Sequence, residues 1–316
     1  MNYPYAIGTI KVIESQILDK NKLSKIFKNE KGAFIKALID YGYGHGLITD
    51  NLEKLINSEL AKVKTYLDEI TPDKKMTDLF FLANDCLNIK VLYKIKLFKV
   101  ANLDYFASVN SIDLEALKKA ILEDDLSYLS KDYAKLIKQI NHKVKDVVSP
   151  RLLSAIIDDS IFDFILQKLK FSFNDTLKTY FTAMIDFANV LSLIRSKKLN
   201  WNIDQFEEMY IKNGKISLDK FKEAYPLSNE ELSMFFNDYY LEQISMGLKT
   251  YFQQNDLNRL ERYFDMLLLS TMKQYQYDSF GIGPIIYYYL KKLAEAKNIR
   301  LIYASETLDL NELLDY

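Results

Sequence analysis

Apolar side chains recur at three- and four-residue spacing along most of this chain, which predicts a succession of amphipathic helices. Between residues 5 and 27 they fall at Ile7, Ile10, Val12, Ile13, Ile17, Leu18, Leu23 and Ile26, the pattern of one opening helix packed on one side. Gly42, Gly44 and Gly46 mark a loop. Asp50 and Glu53 follow at the spacing of a capping box, with Asp50 as the cap. The face Leu52, Leu55, Ile56, Leu60, Val63, Leu67 and Ile70 then keeps helical register until Thr71-Pro72 stops it.

A different pattern begins at Met76 and runs to Lys99. Leu79, Phe80, Ala83 and Leu87 make one face, but Phe81, Leu82 and Leu92 occupy the others. A helix apolar on most sides is a buried central one. Asp85 and Asn88 fall inside it, one turn apart, and polar groups in such a place must find partners. The same arrangement returns in Tyr180–Arg195 with Asp186 and Asn189, and again near Glu295 and Asn298 in a helix entered through Ser279–Pro284. The three acids are 101 and 109 positions apart. A second marker, a polar loop turning into a helix at Asn110-Ser111-Ile112 and at Gly214-Lys215-Ile216, recurs after 104 positions. The expected organisation is therefore all-α, with three repeated helical domains at 1–105, 106–205 and 206–316.

The remaining segments also read as helical. Leu114, Leu117, Ile121 and Leu122 share a face, and Ser149-Pro150 is a break. Asp158 or Asp159 is placed to cap a helix carrying Ile161, Phe164, Ile165 and Leu169. Asn200-Trp201-Asn202 closes the second repeat, and Tyr225-Pro226 ends a helix. Ser228 and Glu231 form a capping box for a helix with Leu232, Phe235, Phe236, Tyr239 and Ile244 on its apolar side. The segment after Arg300 holds Glu306, Asp309, Glu312 and Asp315.

Composition supports helices and argues against several function classes. Only 9 Gly and 5 Pro in 316 residues leave few breakers, which favours long helices. The 23 Tyr and 19 Phe supply large rings for helix contacts and interfaces. Lys+Arg 42 against Asp+Glu 43 lacks the bulk positive charge of a nucleic-acid binder. The single cysteine, Cys86, excludes an internal disulfide and suits a reducing compartment. The opening residues lack a signal-peptide pattern, and no apolar run approaches the ~18 residues of a membrane helix. The expectation is a cytoplasmic chain, peripheral to a membrane complex at most.

Reactive chemistry is hard to find. Position 47 after the glycine run is Leu, so neither phosphate-loop template is met, and the run reads as a turn. His45 and His142 lack a second ligand at metal spacing. Cys86 lies in an apolar helix and reads as structural. Asp124-Asp125 and Asp158-Asp159 read as helix-start acids. No catalytic, cofactor or metal residue is assigned. The acid/Asn pairs Asp85/Asn88, Asp186/Asn189 and Glu295/Asn298, with Arg300, read first as repeated structural braces and second as polar groups lining a cavity. Basic residues gather near each pair: Lys90, Lys94, Lys96 and Lys99; Arg195, Lys197 and Lys198; Lys291, Lys292, Lys297 and Arg300. Such runs are solvated helix ends, or three basic spots facing an acidic partner or lipid head groups, with Lys90, Lys94, Arg195, Lys197, Lys198 and Lys292 as the contact candidates.

Taken in order, these motifs resemble a known family: the C subunits of A/V-type rotary ATPases, counterparts of the d subunit in eukaryotic V-ATPases. The resemblance spans the chain. It rests on Tyr5-Ala6 with Lys11, Glu14, Ser15 and Leu18; on Asp85, Asn88 and Lys90; on Asp158–Phe162 and Asp186/Asn189; on Gly214–Leu218; and on Pro284, Tyr288, Glu295, Asn298, Arg300 and Ile302. Departures are local: Asn213 stands where the family has Gly, Lys11 where Arg is common, and Leu191 where a basic residue is usual. The resemblance implies a pseudo-threefold funnel of three helical domains. It also implies a non-catalytic central-stalk role between the rotor shaft, made of the D and F polypeptides, and the membrane proteolipid ring. No cofactor and no nucleic acid belong to that role, and the chain itself would not span the membrane. A helical scaffold clamping an unrelated partner is the alternative.

Overall fold

The computed structural model describes the chain apart from Met1, residues 28–30, residues 101–105, Val148, Phe171, Phe173, Glu306 and residues 308–309. Glu306 and Asp309, two of the acids noted near the C-terminus, therefore lie outside the described residues. The fold is all-α, and no strand occurs among the described residues. In chain order the helices are α1 (Tyr3–Ile13), α2 (Lys20–Phe27), α3 (Lys31–Asp40), α4 (Leu52–Ile70), α5 (Lys74–Phe98), α6 (Leu114–Leu122), α7 (Lys131–Val144) and α8 (Pro150–Lys170). They continue as α9 (Asp175–Lys198), α10 (Ile203–Glu207), α11 (Leu218–Ala224), α12 (Asn229–Phe235), α13 (Gln243–Gln254), α14 (Leu257–Lys273) and α15 (Gly283–Ala304). Among the described residues, no helix is long and apolar enough to cross a membrane.

Two compact units result. A terminal unit combines Met1–Thr77 with Asp256–Tyr316, and a middle unit comprises Asp78–Asn255. These cuts mark compactness, whereas the boundaries expected near 105 and 205 mark recurrence. In the terminal unit α15 packs against α1, α2, α4 and α14. Its run from Gly283 to Leu290 is buried on every side, which explains why it is apolar all round. Pro284 sits in its first turn, where no backbone donor is lost. In the middle unit α7 packs on α8, α8 on α9, and α12 on α13. Asp186 and Asn189 are wholly buried in α9, as Asp85 and Asn88 are in α5.

The structure departs from the periodicity in several places, and Val12 and Leu122, expected on packed faces, are exposed. The opening helix is two helices, because the chain breaks at Ile17–Asp19, where the Leu18 N–H turns toward Glu295. Helix α4 is capped by Asn51, not Asp50: its side chain accepts from the Lys54 N–H at 3.0 Å. Leu87 is 48% exposed, and the buried face of α5 runs instead through Phe81, Leu82, Asp85, Asn88, Ile89 and Leu92. Asp158 and Asp159 cap nothing, because α8 starts at Pro150 and carries both in its middle, where Asp158 pairs with Lys90 at 2.5 Å. The helix begun by the Ser228/Glu231 capping box stops at Phe235. Tyr240, Leu241 and Glu242 then take left-handed φ angles of 54°, 51° and 63° before α13 begins.

Candidate functional site

An asparagine amide inside a helix has one acceptor and two donors to place, and a carboxylate has only acceptors. Each of the three pairs uses these valences in the same way. Asn88 accepts from the Ala107 N–H at 2.7 Å and donates to the Ala107 carbonyl at 3.4 Å. Asn189 accepts from the Ile211 N–H at 2.9 Å and donates to the Ile211 carbonyl at 2.8 Å. Asn298 accepts from the Leu314 N–H at 2.8 Å and donates to the Leu314 carbonyl at 2.9 Å. One side chain thus satisfies both backbone groups of one residue in a facing segment.

The acid one turn earlier takes backbone N–H groups of another segment, further along the chain in the first two pairs and near its start in the third. Asp85 accepts from Ser111 at 2.8 Å and from Ile112 at 3.4 Å. Asp186 accepts from Lys215 at 3.0 Å and Ile216 at 3.1 Å, and from the Tyr240 hydroxyl at 2.5 Å. Glu295 accepts from the Leu18 N–H at 2.6 Å. Each captured residue precedes a capped helix: Asp113 caps α6, Ser217 caps α11, and the Asp19 carboxylate accepts from Lys22 N–H at the start of α2. Gly214 must be small, since a Cβ there would stand 2.1 Å from Asp186 Oδ1. We call this recurring set of bonds a joint.

The third joint adds a buried ionic cluster. Lys292, 3% exposed, bridges Glu295 and Glu59, the latter at 2.6 Å. Glu59 also accepts from the Gly44 N–H at 2.9 Å and lies 3.2 Å from His45 Nε2. Burial pushes Lys292 down, but Glu295 and Glu59 together outweigh it and hold its ammonium above the ordinary lysine value. Burial raises Glu295 above the usual carboxylate range, with Lys292 opposing. Burial likewise raises Asp186, opposed by the bonds from Tyr240, Ile216 and Lys215.

Periodicity missed Glu59, although it sits on the apolar stripe of α4 between Ile56 and Val63, a position where a carboxylate signals a buried partner. Lys292 was expected among surface cations and lies inside instead, so the basic-patch expectation does not extend to it.

Most other basic residues of the three clusters also face internal partners. Lys90 pairs with Asp158, Lys96 with Asp124 at 2.6 Å, Lys291 with Glu14 at 2.6 Å and Lys297 with Asp265 at 2.6 Å. Arg300 makes a two-pronged pair with Glu53, both contacts at 2.9 Å. Lys197 donates to the carbonyls of Tyr225 and Leu227 at 2.7 and 2.8 Å, and burial lowers its pKa. Lys94 is half-buried, while Arg195 and Lys198 are exposed.

The chemistry on offer is structural. No group of three metal-ligating side chains occurs among the described residues. Cys86 is buried and its thiol is pushed well up by burial, the opposite of an activated nucleophile. His142 is exposed on α7, apart from the joints. Gly42, Gly44 and Gly46 all take positive φ in one turn, and Gly44 hands its N–H to Glu59. What the three joints do is bind backbone segments tightly to the middle of long helices.

Comparison with known proteins places this architecture. A family model described as ATP synthase (C/AC39) subunit matches residues 6–312. The C subunit of the A-type ATP synthase from Methanosphaera stadtmanae is 22% identical, the alignment covering 96% of this chain and 84% of the relative. Its equivalent from Methanothermobacter thermautotrophicus is 21% identical at the same coverage. The one from Methanocaldococcus jannaschii is 22% identical over 95% of this chain and 82% of its own.

Proposed function

Because the chain belongs to the ATP synthase (C/AC39) subunit family, we propose that it is a non-catalytic central-stalk subunit of an A/V-type rotary ATPase. In this role it couples the rotor shaft, the D and F polypeptides, to the membrane proteolipid ring, at the cytoplasmic face and peripheral to the bilayer. Torque passing between shaft and ring drives ion transport at the expense of ATP, or ATP synthesis in the reverse direction. The family match over residues 6–312 carries this reading.

The role asks for stiffness and for two interfaces that do not slip. Three joints of one design support a repeated build of domains 1–105, 106–205 and 206–316, set as a pseudo-threefold funnel. A buried polar network whose members bond one another is rigid, since moving one member strands the others. Exposed cations such as Arg195 and Lys198 are suited to the electrostatic part of a partner contact.

The test is omission. An assembled ATPase stripped of this chain should go on hydrolysing ATP while ATP-driven ion uptake into vesicles stops, and adding the purified chain back should restore uptake. Coupled transport that persists without the chain would overturn the proposal.

A further inference from the structure

In the middle unit each joint holds one continuous loop. Asn88 grips it at Ala107 and Asp85 at Ser111–Ile112; Asn189 grips the next at Ile211 and Asp186 at Lys215–Ile216. In the terminal unit the same bonds grip two separate stretches of chain. Asn298 holds Leu314, 16 residues on, while Glu295 holds Leu18, 277 residues away in sequence. Leu314 thus stands where Ala107 and Ile211 stand, and Leu18-Asp19 stands where Ile112-Asp113 and Ile216-Ser217 stand. The loop that links these positions in the first two joints has no counterpart here.

We infer that the Glu295/Asn298 joint is a latch: a sequence-discontinuous copy of the other two that opens on its own while they stay closed. When a bond opens, Ile112 and Ile216 remain tied to their acids through 27 and 30 residues of local chain, whereas Leu18 and Glu295 lie 277 residues apart and are kept together by packing and side-chain contacts alone.

The structure fastens this joint at several points, the first of which has a parallel at the second joint, where the Tyr210 hydroxyl donates to the Ile216 carbonyl at 2.9 Å. The Tyr316 hydroxyl donates to the Leu18 carbonyl at 2.5 Å, tying the two stretches directly. Glu312 pairs with Arg259 of α14, and Leu313 and Leu314 are 2% and 4% exposed. Lys292 draws Glu295 and Glu59 together behind the Leu18 contact. Residues 311–316 are thus a strap across α15, and releasing them frees the Leu18–Asp19 turn that starts α2.

Residue-resolved amide hydrogen exchange on the full chain tests this. The Leu18 amide should exchange at least ~10-fold faster than those of Ile112 and Ile216. Tyr316→Phe should accelerate Leu18 further and leave Asp78–Asn255 unchanged. Shortening the chain after Glu312 should do the same over residues 14–27 and 290–302. Leu18 protected as well as Ile112 and Ile216, Leu18 indifferent to Tyr316→Phe, or equal acceleration in the middle unit would each overturn the latch. Tyr316→Phe deletes one hydroxyl, so the test stands even if the shortened chain does not fold.

Discussion

Asn189 shows how much rests on one amide. Replacing it with alanine strands the N–H and the carbonyl of Ile211, both buried, and each unsatisfied group costs about 1–3 kcal/mol. Asn189→Ala should therefore lower unfolding free energy by roughly 2–6 kcal/mol in denaturant titration, while shaft affinity per folded molecule changes little. Unchanged stability with lost binding would make the pair a contact site and not a brace. Lys292 is a stronger case, because Lys292→Met leaves Glu59 and Glu295 buried without a cation. Breaking a buried pair in this way costs about 3–5 kcal/mol, and a loss under 1 kcal/mol would show that the cluster is solvated. The Glu53–Arg300 pair behaves differently because Glu53 is half exposed. Its hydrogen bonds with Arg300 lower the Glu53 carboxyl below the ordinary 4.5, so its contribution is present above that pH and is lost as pH falls through the folded-state value. Wild type should exceed Glu53→Gln by less than ~1 kcal/mol at neutral pH, a gap that closes in a melting series as pH falls through the lowered folded-state value. A gap that widens on acidification would contradict the pairing.

Helices were legible where burial repeats, and boundaries were not where a distant residue decides them. The all-round apolar character of α5, α9 and α15 was readable, as were the acid/Asn pairs, since three-residue spacing sets both side chains on one helix face. Their partners were not readable: nothing local to Leu18 says that its N–H belongs to Glu295, so the break between α1 and α2 looked like continuous helix. The same holds for Tyr240–Glu242, whose left-handed backbone costs about 1–2 kcal/mol per residue. There the Tyr240 hydroxyl on Asp186 and the ring contact with Phe187, centroids 4.9 Å apart, hold the segment. Tyr240→Phe should speed amide exchange across residues 237–243 and lower stability by about 1–2 kcal/mol. If exchange there stays unchanged, the hydroxyl is not what fixes the turn.

At the scale of the molecule, no group of three metal-ligating side chains occurs among the described residues, and the proposed role is one of transmission. Lys90, Lys96, Lys197, Lys291, Lys292 and Lys297 each bond a partner elsewhere in the fold, Lys292 from a buried position and Lys297 from an exposed one, which suits a part proposed to carry torque. The exposed remainder of the surface, where a few cations and apolar side chains such as Val12 and Phe280 stand clear of the core, is left for the proposed partner contacts. The most direct test is a two-sided binding measurement. Purified chain, the D–F shaft pair and detergent-solubilised proteolipid ring are mixed and separated by size, with the chain omitted in a parallel sample. A single complex holding shaft and ring together only when the chain is present is the expected result. Shaft and ring that fail to associate through the chain, or that associate equally well without it, would contradict the coupling role.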